Sequence, residues 1–259
     1  MRALFRPFET ATNTQKRLLM VFWIVAGYLV WQYWPGYLIP RPGATLDSLV
    51  SLYERGLAED LKVSFWVIAR AGFFIAFPVG CILSYLYTIP FFKPPILLYA
   101  SMRNIMMNAL VAAFMMMRLG GDQLKVLTMA FVISVYFVSS VIQRVDDFPQ
   151  AKVNHGITMR MSRWQILWNH FIRGSLHTVC YDFIPCLGMG WAMLSFVEGL
   201  ARNEGGLGDL MLQVDKITSY SGIMALAIVS GALGFGMWFG LRSLFKVLFK
   251  YATQVAVKS

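Results

Sequence analysis

Six long stretches of this chain carry almost no charge, and this limits its fold more than any other feature. They run from Leu18 to Trp34, Ala71 to Phe92, Leu97 to Met117, Val126 to Gln143, Leu176 to Val197 and Ile217 to Leu241. About 20 apolar residues in a helix cross the hydrocarbon core of a bilayer, where the backbone must satisfy its own hydrogen bonds. Only 14% of the residues are charged and 58% are hydrophobic, whereas soluble domains carry roughly 25% charged residues. The expected fold is an all-α integral membrane protein with about six transmembrane helices. Trp31, Tyr33 and Trp34 close the first run as an aromatic belt would. The second span is expected to begin near Val63 and to include Arg70.

Six spans place both termini on one side, and the basic residues indicate which. Arg2, Arg6, Lys16, Arg17, Lys93, Arg144, Lys152, Arg160, Arg163, Arg173, Arg242, Lys246, Lys250 and Lys258 would face one side. Arg41, Arg55, Lys62, Arg118, Lys125, Arg202 and Lys216 would face the other, seven against fourteen. The richer side is expected to be the cytoplasm. The domain reading is a cytoplasmic segment 1–17, one transmembrane domain 18–245 and a cytoplasmic tail 246–259. Within the domain, 38–60 is an external amphipathic segment and 144–175 a cytoplasmic loop. The net charge of +10 is thus read as a topology signal, not as a nucleic-acid surface. The first 17 residues lack a signal-peptide cleavage pattern, so the first run is expected to remain as an anchor. Cys81, Cys180 and Cys186 lie in apolar runs and read as small buried hydrophobes, with no metal site. There is no G-x-x-x-x-G-K-[ST] loop, so any ATP would be bound by another chain.

The 144–175 loop contains Ser162-Arg163-Trp164-Gln165-Ile166-Leu167-Trp168-Asn169-His170-Phe171-Ile172. Trp164, Leu167, Trp168, Phe171 and Ile172 recur at helical spacing, and Ser162 is placed as an N-cap. Such a helix can lie in the membrane interface. It can equally hold a short preceding helix, roughly Ala151 to Arg160, against a cytoplasmic partner.

An arginine at the bilayer centre costs about 2.5–3.5 kcal/mol on insertion scales. Arg103 is therefore expected either to line a polar path or to snorkel to the interface. In a continuous helix Asn104 and Asn108 would share a face. Arg70 is expected to pair with an acid. The methionines of the third span read as adaptable packing, and the histidines form no local ligand set. Gly188, Gly190, Gly236 and Gly240 mark expected close helix contacts, the last two as G-x-x-x-G.

Several short pieces occur in a recognisable order. Leu38-Ile39-Pro40-Arg41-Pro42 precedes the external segment and Pro78-Val79-Gly80 lies in the second span. After the cytoplasmic loop come Gly188-Met189-Gly190-Trp191-Ala192, Val197-Glu198 and Gly206-Leu207-Gly208. Over residues 35–245 the chain resembles the permease subunits of the nitrate, sulfonate and taurine group of ABC importers, with a type I permease fold. That group carries a cytoplasmic E-A-A-x-x-x-G coupling motif. Its positions fall here on Asn154, His155, Gly156 and Arg160, so the acidic residue and the final glycine are absent.

The resemblance implies a bacterial inner-membrane permease with no catalytic residues of its own. Its partners would be a second, identical permease, two cytoplasmic ATPase subunits carrying ATP and Mg, and an external solute-binding protein. Asn154, His155, Gly156, Arg160, Ser162, Arg163 and Trp164 would contact the ATPase. Arg103, Asn104, Asn108, Trp191 and Glu198 are the candidates to line the path of a small, anionic solute, with Glu198 read first as a structural partner for a helix end. An ATP-independent carrier or channel, and a scaffold subunit of a membrane complex, are the alternatives.

Overall fold

The computed structural model describes residues 13–33, 39–117, 120–201, 205–216 and 219–250. Arg2, Arg6, Trp34, Leu38, Arg118, Arg202, Ile217 and Lys258, all used in the sequence reading, fall outside the described residues. The described residues contain helices and no strand. In chain order they are α1 (Asn13–Tyr33), α2 (Pro42–Glu54), α3 (Leu57–Leu86), α4 (Lys93–Ser101), α5 (Met107–Met116), α6 (Gly121–Asp146) and α7 (Gln150–Thr158). A four-residue turn, Arg163–Ile166, then leads into α8 (Arg173–Ala201), followed by α9 (Leu207–Lys216) and α10 (Tyr220–Leu248).

Four helices, α3, α6, α8 and α10, are long and apolar enough to cross a bilayer. A bent pair, Pro90–Asn104 with Met107–Met116, adds a fifth when counted as one span. α1 is helical over 21 residues, and its apolar side chains, such as Trp23 and Ile24, are exposed. It is less apolar than the other four because Lys16, Arg17 and Gln32 sit near its ends.

Two expectations change here. The third span is not one helix: the chain bends by 110° between Asn104 and Met107. The second span starts at Leu57 rather than near Val63, so Glu59, Asp60 and Lys62 belong to its first turns, not to an external loop. It ends at Leu86, and Pro90–Phe92 forms a separate 3-10 turn.

α3, α6 and α8 enclose the main core. Phe77, Phe137 and Phe183, one from each helix, form an aromatic triad with centroids 5.0–5.6 Å apart. Glycines let the backbones approach. A methyl group on Gly80 would lie 2.3 Å from the Phe137 ring, and one on Gly72 would lie 2.4 Å from Leu187. α3 opens into a π turn over Arg70–Ala76, and the Phe77 N–H reaches back to the Gly72 carbonyl. Pro78 follows directly; it has no N–H to continue the α ladder, and a widened turn accommodates that loss. Arg70 pairs with Asp122 through two hydrogen bonds of 2.8 and 2.9 Å, as expected of an arginine at this depth. A second cluster joins α2, α9 and the start of α10 at one end of the bundle, around Leu52, Leu210 and Leu226.

Candidate translocation path

One face of α6 departs from its apolar character. Tyr136, Ser139, Ser140 and Gln143 recur at i, i+3, i+4 and i+7, which stacks them on one side of the helix. Facing them is the bend between α4 and α5. Met102–Asn104 forms a single 3-10 turn, and Ile105 and Met106 are extended, with ψ of 134° and 130°. The turn carries Arg103 to this face, where its Nη1 donates to the Ser139 hydroxyl at 2.8 Å. Pro185, Cys186 and Met189 of α8 complete a cavity of about 240 Å³ around Arg103, Tyr136, Ser139, Ser140 and Gln143.

The arrangement suits a polar solute. Irregular backbone within a membrane is tolerated where it lines a water-filled cavity or is buried in protein. Arg103 is the one formal charge among the cavity residues, and its guanidinium can orient two parallel hydrogen bonds toward an oxyanion. Below Gln143, Arg144 at the end of α6 makes a two-pronged ion pair with Asp182 of α8. Tyr87 then donates its hydroxyl proton to the Asp146 carboxylate at 3.1 Å. Arg144, one of the basic residues of the topology count, is thus also paired with an acid.

The other expected path residues lie elsewhere. Asn104 and Asn108 are both exposed, yet they do not share a helix face, because the break at Ile105 and Met106 separates them. Trp191 is half-buried and donates its indole N–H to the Ser230 carbonyl at 2.9 Å, joining α8 to α10. Glu198 is 0% exposed and lines no path. It accepts from the Ser64 hydroxyl at 2.7 Å and from the Gly208 N–H at 3.0 Å. The Ser64 oxygen accepts in turn from the Leu207 N–H, and Asp60 accepts from the Gly206 N–H, both at 2.9 Å. Lys125, 1% exposed, donates to the Gly205 carbonyl at 2.7 Å, so it too is no loop charge. These side chains clasp the start of α9. Gly206 has φ of +116°, and an added methyl group would lie 2.6 Å from the Glu198 carboxyl carbon.

The expected packing glycines divide. A methyl group on Gly190 would lie 2.6 Å from Ile133, whereas Gly188, Gly236 and Gly240 have nothing within 4 Å. Gly236 and Gly240 line an open apolar groove between α3 and α10. The close approaches on α10 are made by Gly222, against Val214, and Gly234, against Trp191.

In the 144–175 loop, Ser162 caps the Arg163–Ile166 turn in a reciprocal capping box with Gln165, as the S-x-x-Q spacing implies. A π turn over Leu167–Ile172 then carries the helix into α8. The extra residue per turn divides the expected apolar stripe. Ile166 and Phe171 are buried, while Trp164 and Trp168 are 67% and 54% exposed. α7 presents Asn154 and His155 outward and Gly156 inward, where a methyl group would lie 2.6 Å from Ile166. α7 ends in a Schellman turn, with the Met161 N–H bonded to the Gly156 carbonyl and the Arg160 N–H to that of Ile157. Arg160 has φ of +57°, the only non-glycine with positive φ among the described residues. It stands where the resemblance places glycine, and it adopts the backbone conformation that glycine favours.

Comparison with known proteins gives one informative match. The chain is 24% identical over 251 residues to the taurine transport system permease protein TauC of Escherichia coli (strain K12), covering 93% of this chain and 89% of that protein. The chain is a relative of the ABC-importer permeases of the nitrate, sulfonate and taurine group. It is accordingly a multi-pass, all-α transport permease. No protein-family model matches it, and no solved structure matches it.

Sequence reasoning missed Tyr136, Ser139, Ser140 and Gln143. The signal was present, as polar residues at helical spacing inside an uncharged run.

Proposed function

We propose that this permease is the solute-conducting subunit of an ATP-driven importer in a bacterial inner membrane, and that its solute is a small anion. The observation that carries this reading is Arg103, held on the polar face of α6 by the Ser139 hydroxyl at the bend of a broken span. A cation in such a place offers a moving anion a temporary counter-charge in surroundings where charge is otherwise costly.

In this reading both termini and the 144–175 loop are cytoplasmic, and α2 is external. α1 supplies the sixth span. Two copies enclose the path, an external binding protein delivers solute, and two ATPase subunits bind ATP and Mg. α7 docks on an ATPase subunit as a helix in a groove. The αL conformation at Arg160 supports this role, since it keeps the ending of the coupling motif without its glycine. Movement of the ATPase would then shift the bundle between states open to either side.

The test is a gentle detergent pull-down from native membranes. An ATPase subunit recovered at equal stoichiometry, and lost when residues 154–160 become a Gly/Ser stretch, is the expected result. Recovery of an intact permease dimer without any ATPase would overturn the importer reading in favour of a carrier or a scaffold.

A further inference from the structure

Another amphipathic cavity, in the 144–175 region, lies away from the Arg103 face. Where α6 ends, the chain passes through Pro149 into α7 and returns along the run that begins at Arg163. The elements leave a groove of about 450 Å³ between them. Its wall is apolar, formed chiefly by Phe148, Val153, Ile157 and Phe171, and Arg163 lines it as well. Arg163 is itself exposed, so the groove is greasy within and cationic at its edge.

The same helical run exposes the indoles of Trp164 and Trp168. Exposed tryptophans beside a membrane-spanning helix favour the depth of the lipid headgroups, where the ring is in apolar surroundings and the N–H is wet. They set the groove at the edge of the hydrocarbon. An occupant at that depth that matches both parts has an acyl chain for the wall and a phosphate for the guanidinium, which binds phosphate in a bidentate fashion. We infer that this groove is a binding site for one anionic phospholipid, with Arg163 on the headgroup phosphate and the Phe148–Val153–Ile157–Phe171 wall on an acyl chain. The lipid wedges α7 away from the end of α6 and so sets the angle at which α7 leaves the membrane. The site does not require ATP-driven transport and stands apart from that reading.

Native mass spectrometry of the full-length chain in detergent tests this, with phosphatidylglycerol and phosphatidylcholine titrated in parallel. One phosphatidylglycerol should be retained about fivefold more tightly than phosphatidylcholine, the factor expected of one interfacial arginine. Arg163→Gln, a change at an exposed position, should bring the two lipids to parity. Val153→Trp, which fills the groove, should release the bound lipid while leaving the melting temperature within its normal scatter. Equal retention of the two lipids by the unaltered chain would overturn the inference. So would a phosphatidylglycerol preference that survives both substitutions. If Val153→Trp abolishes capture of an ATPase subunit and leaves lipid retention intact, the groove belongs to a protein segment and the lipid site is refuted.

Discussion

Gly208→Ala is the sharpest test of how α9 is held. A methyl group at this position would lie 1.9 Å from the Ser195 carbonyl oxygen and 2.7 Å from its carbon. Both are backbone atoms in the last two turns of α8, so no rotamer change relieves the contact. The start of α9 must move outward by more than 1 Å to restore ordinary separation, an order-of-magnitude figure set by normal packing distances. That shift breaks the bond from the Gly208 N–H to Glu198 and strains the one from the Leu207 N–H to Ser64. A hydrogen bond to a charged group contributes about 1.5–3 kcal/mol and a neutral one about 1 kcal/mol, so the substitution should destabilise by roughly 3–4 kcal/mol. Gly188→Ala is the control. It lies in α8, the helix that carries Ser195, has nothing within 4 Å, and should be neutral or stabilising by up to about 1 kcal/mol through helix propensity. Thermal unfolding of the detergent-solubilised chain, followed by near-UV circular dichroism and size-exclusion recovery, separates the two. A Gly208→Ala protein whose stability stays within about 0.5 kcal/mol of the parent, the range of an ordinary surface change, would refute the clasp around α9.

Arg160→Gly should stabilise the turn after α7 by about 0.5–1 kcal/mol, since relief of the left-handed strain exceeds the added freedom of the unfolded chain; slower amide exchange at Met161 is the readout. Lys125→Met should cost about 1–3 kcal/mol by leaving the Gly205 carbonyl without its donor; a melting temperature unchanged from the parent would refute that role for Lys125. Arg103→Gln should weaken uptake of an anionic solute by about tenfold to a hundredfold through the half-saturation concentration, the range of one charge-assisted hydrogen bond, while leaving the melting temperature unchanged.

What the sequence revealed followed the reach of local pattern. α6 and α10 were plain because uncharged runs of that length have few alternatives, and Ser162 was plain because a capping box spans only four residues. The bend at Ile105 was not, since residues 97–117 contain neither Pro nor Gly; Arg103 and Asn104 were the only local hint. The π turns at Arg70–Ala76 and Leu167–Ile172 escaped for a different reason. A pattern read at 3.6 residues per turn assumes that no turn takes an extra residue, so the stripe from Trp164 to Ile172 was assigned one face where the chain has two. Glu198 was read as a partner for a helix end ahead of a path residue, and the Gly208 N–H at the start of α9 is such a partner; its other partner Ser64 is 134 residues away, and no local pattern spans that separation.

The 110° bend also bears on how a single copy fares in lipid. A broken helix exposes carbonyls at the end of one half and N–H groups at the start of the other. Hydrocarbon offers these groups nothing, at a cost of several kcal/mol for each one left bare. An isolated copy must therefore draw water and headgroups inward to the bend, thinning the bilayer around it. A copy with its bend against another protein surface is spared that deformation. The elasticity of the surrounding membrane thus becomes a force toward assembly, strongest in thick bilayers and weakest in thin ones.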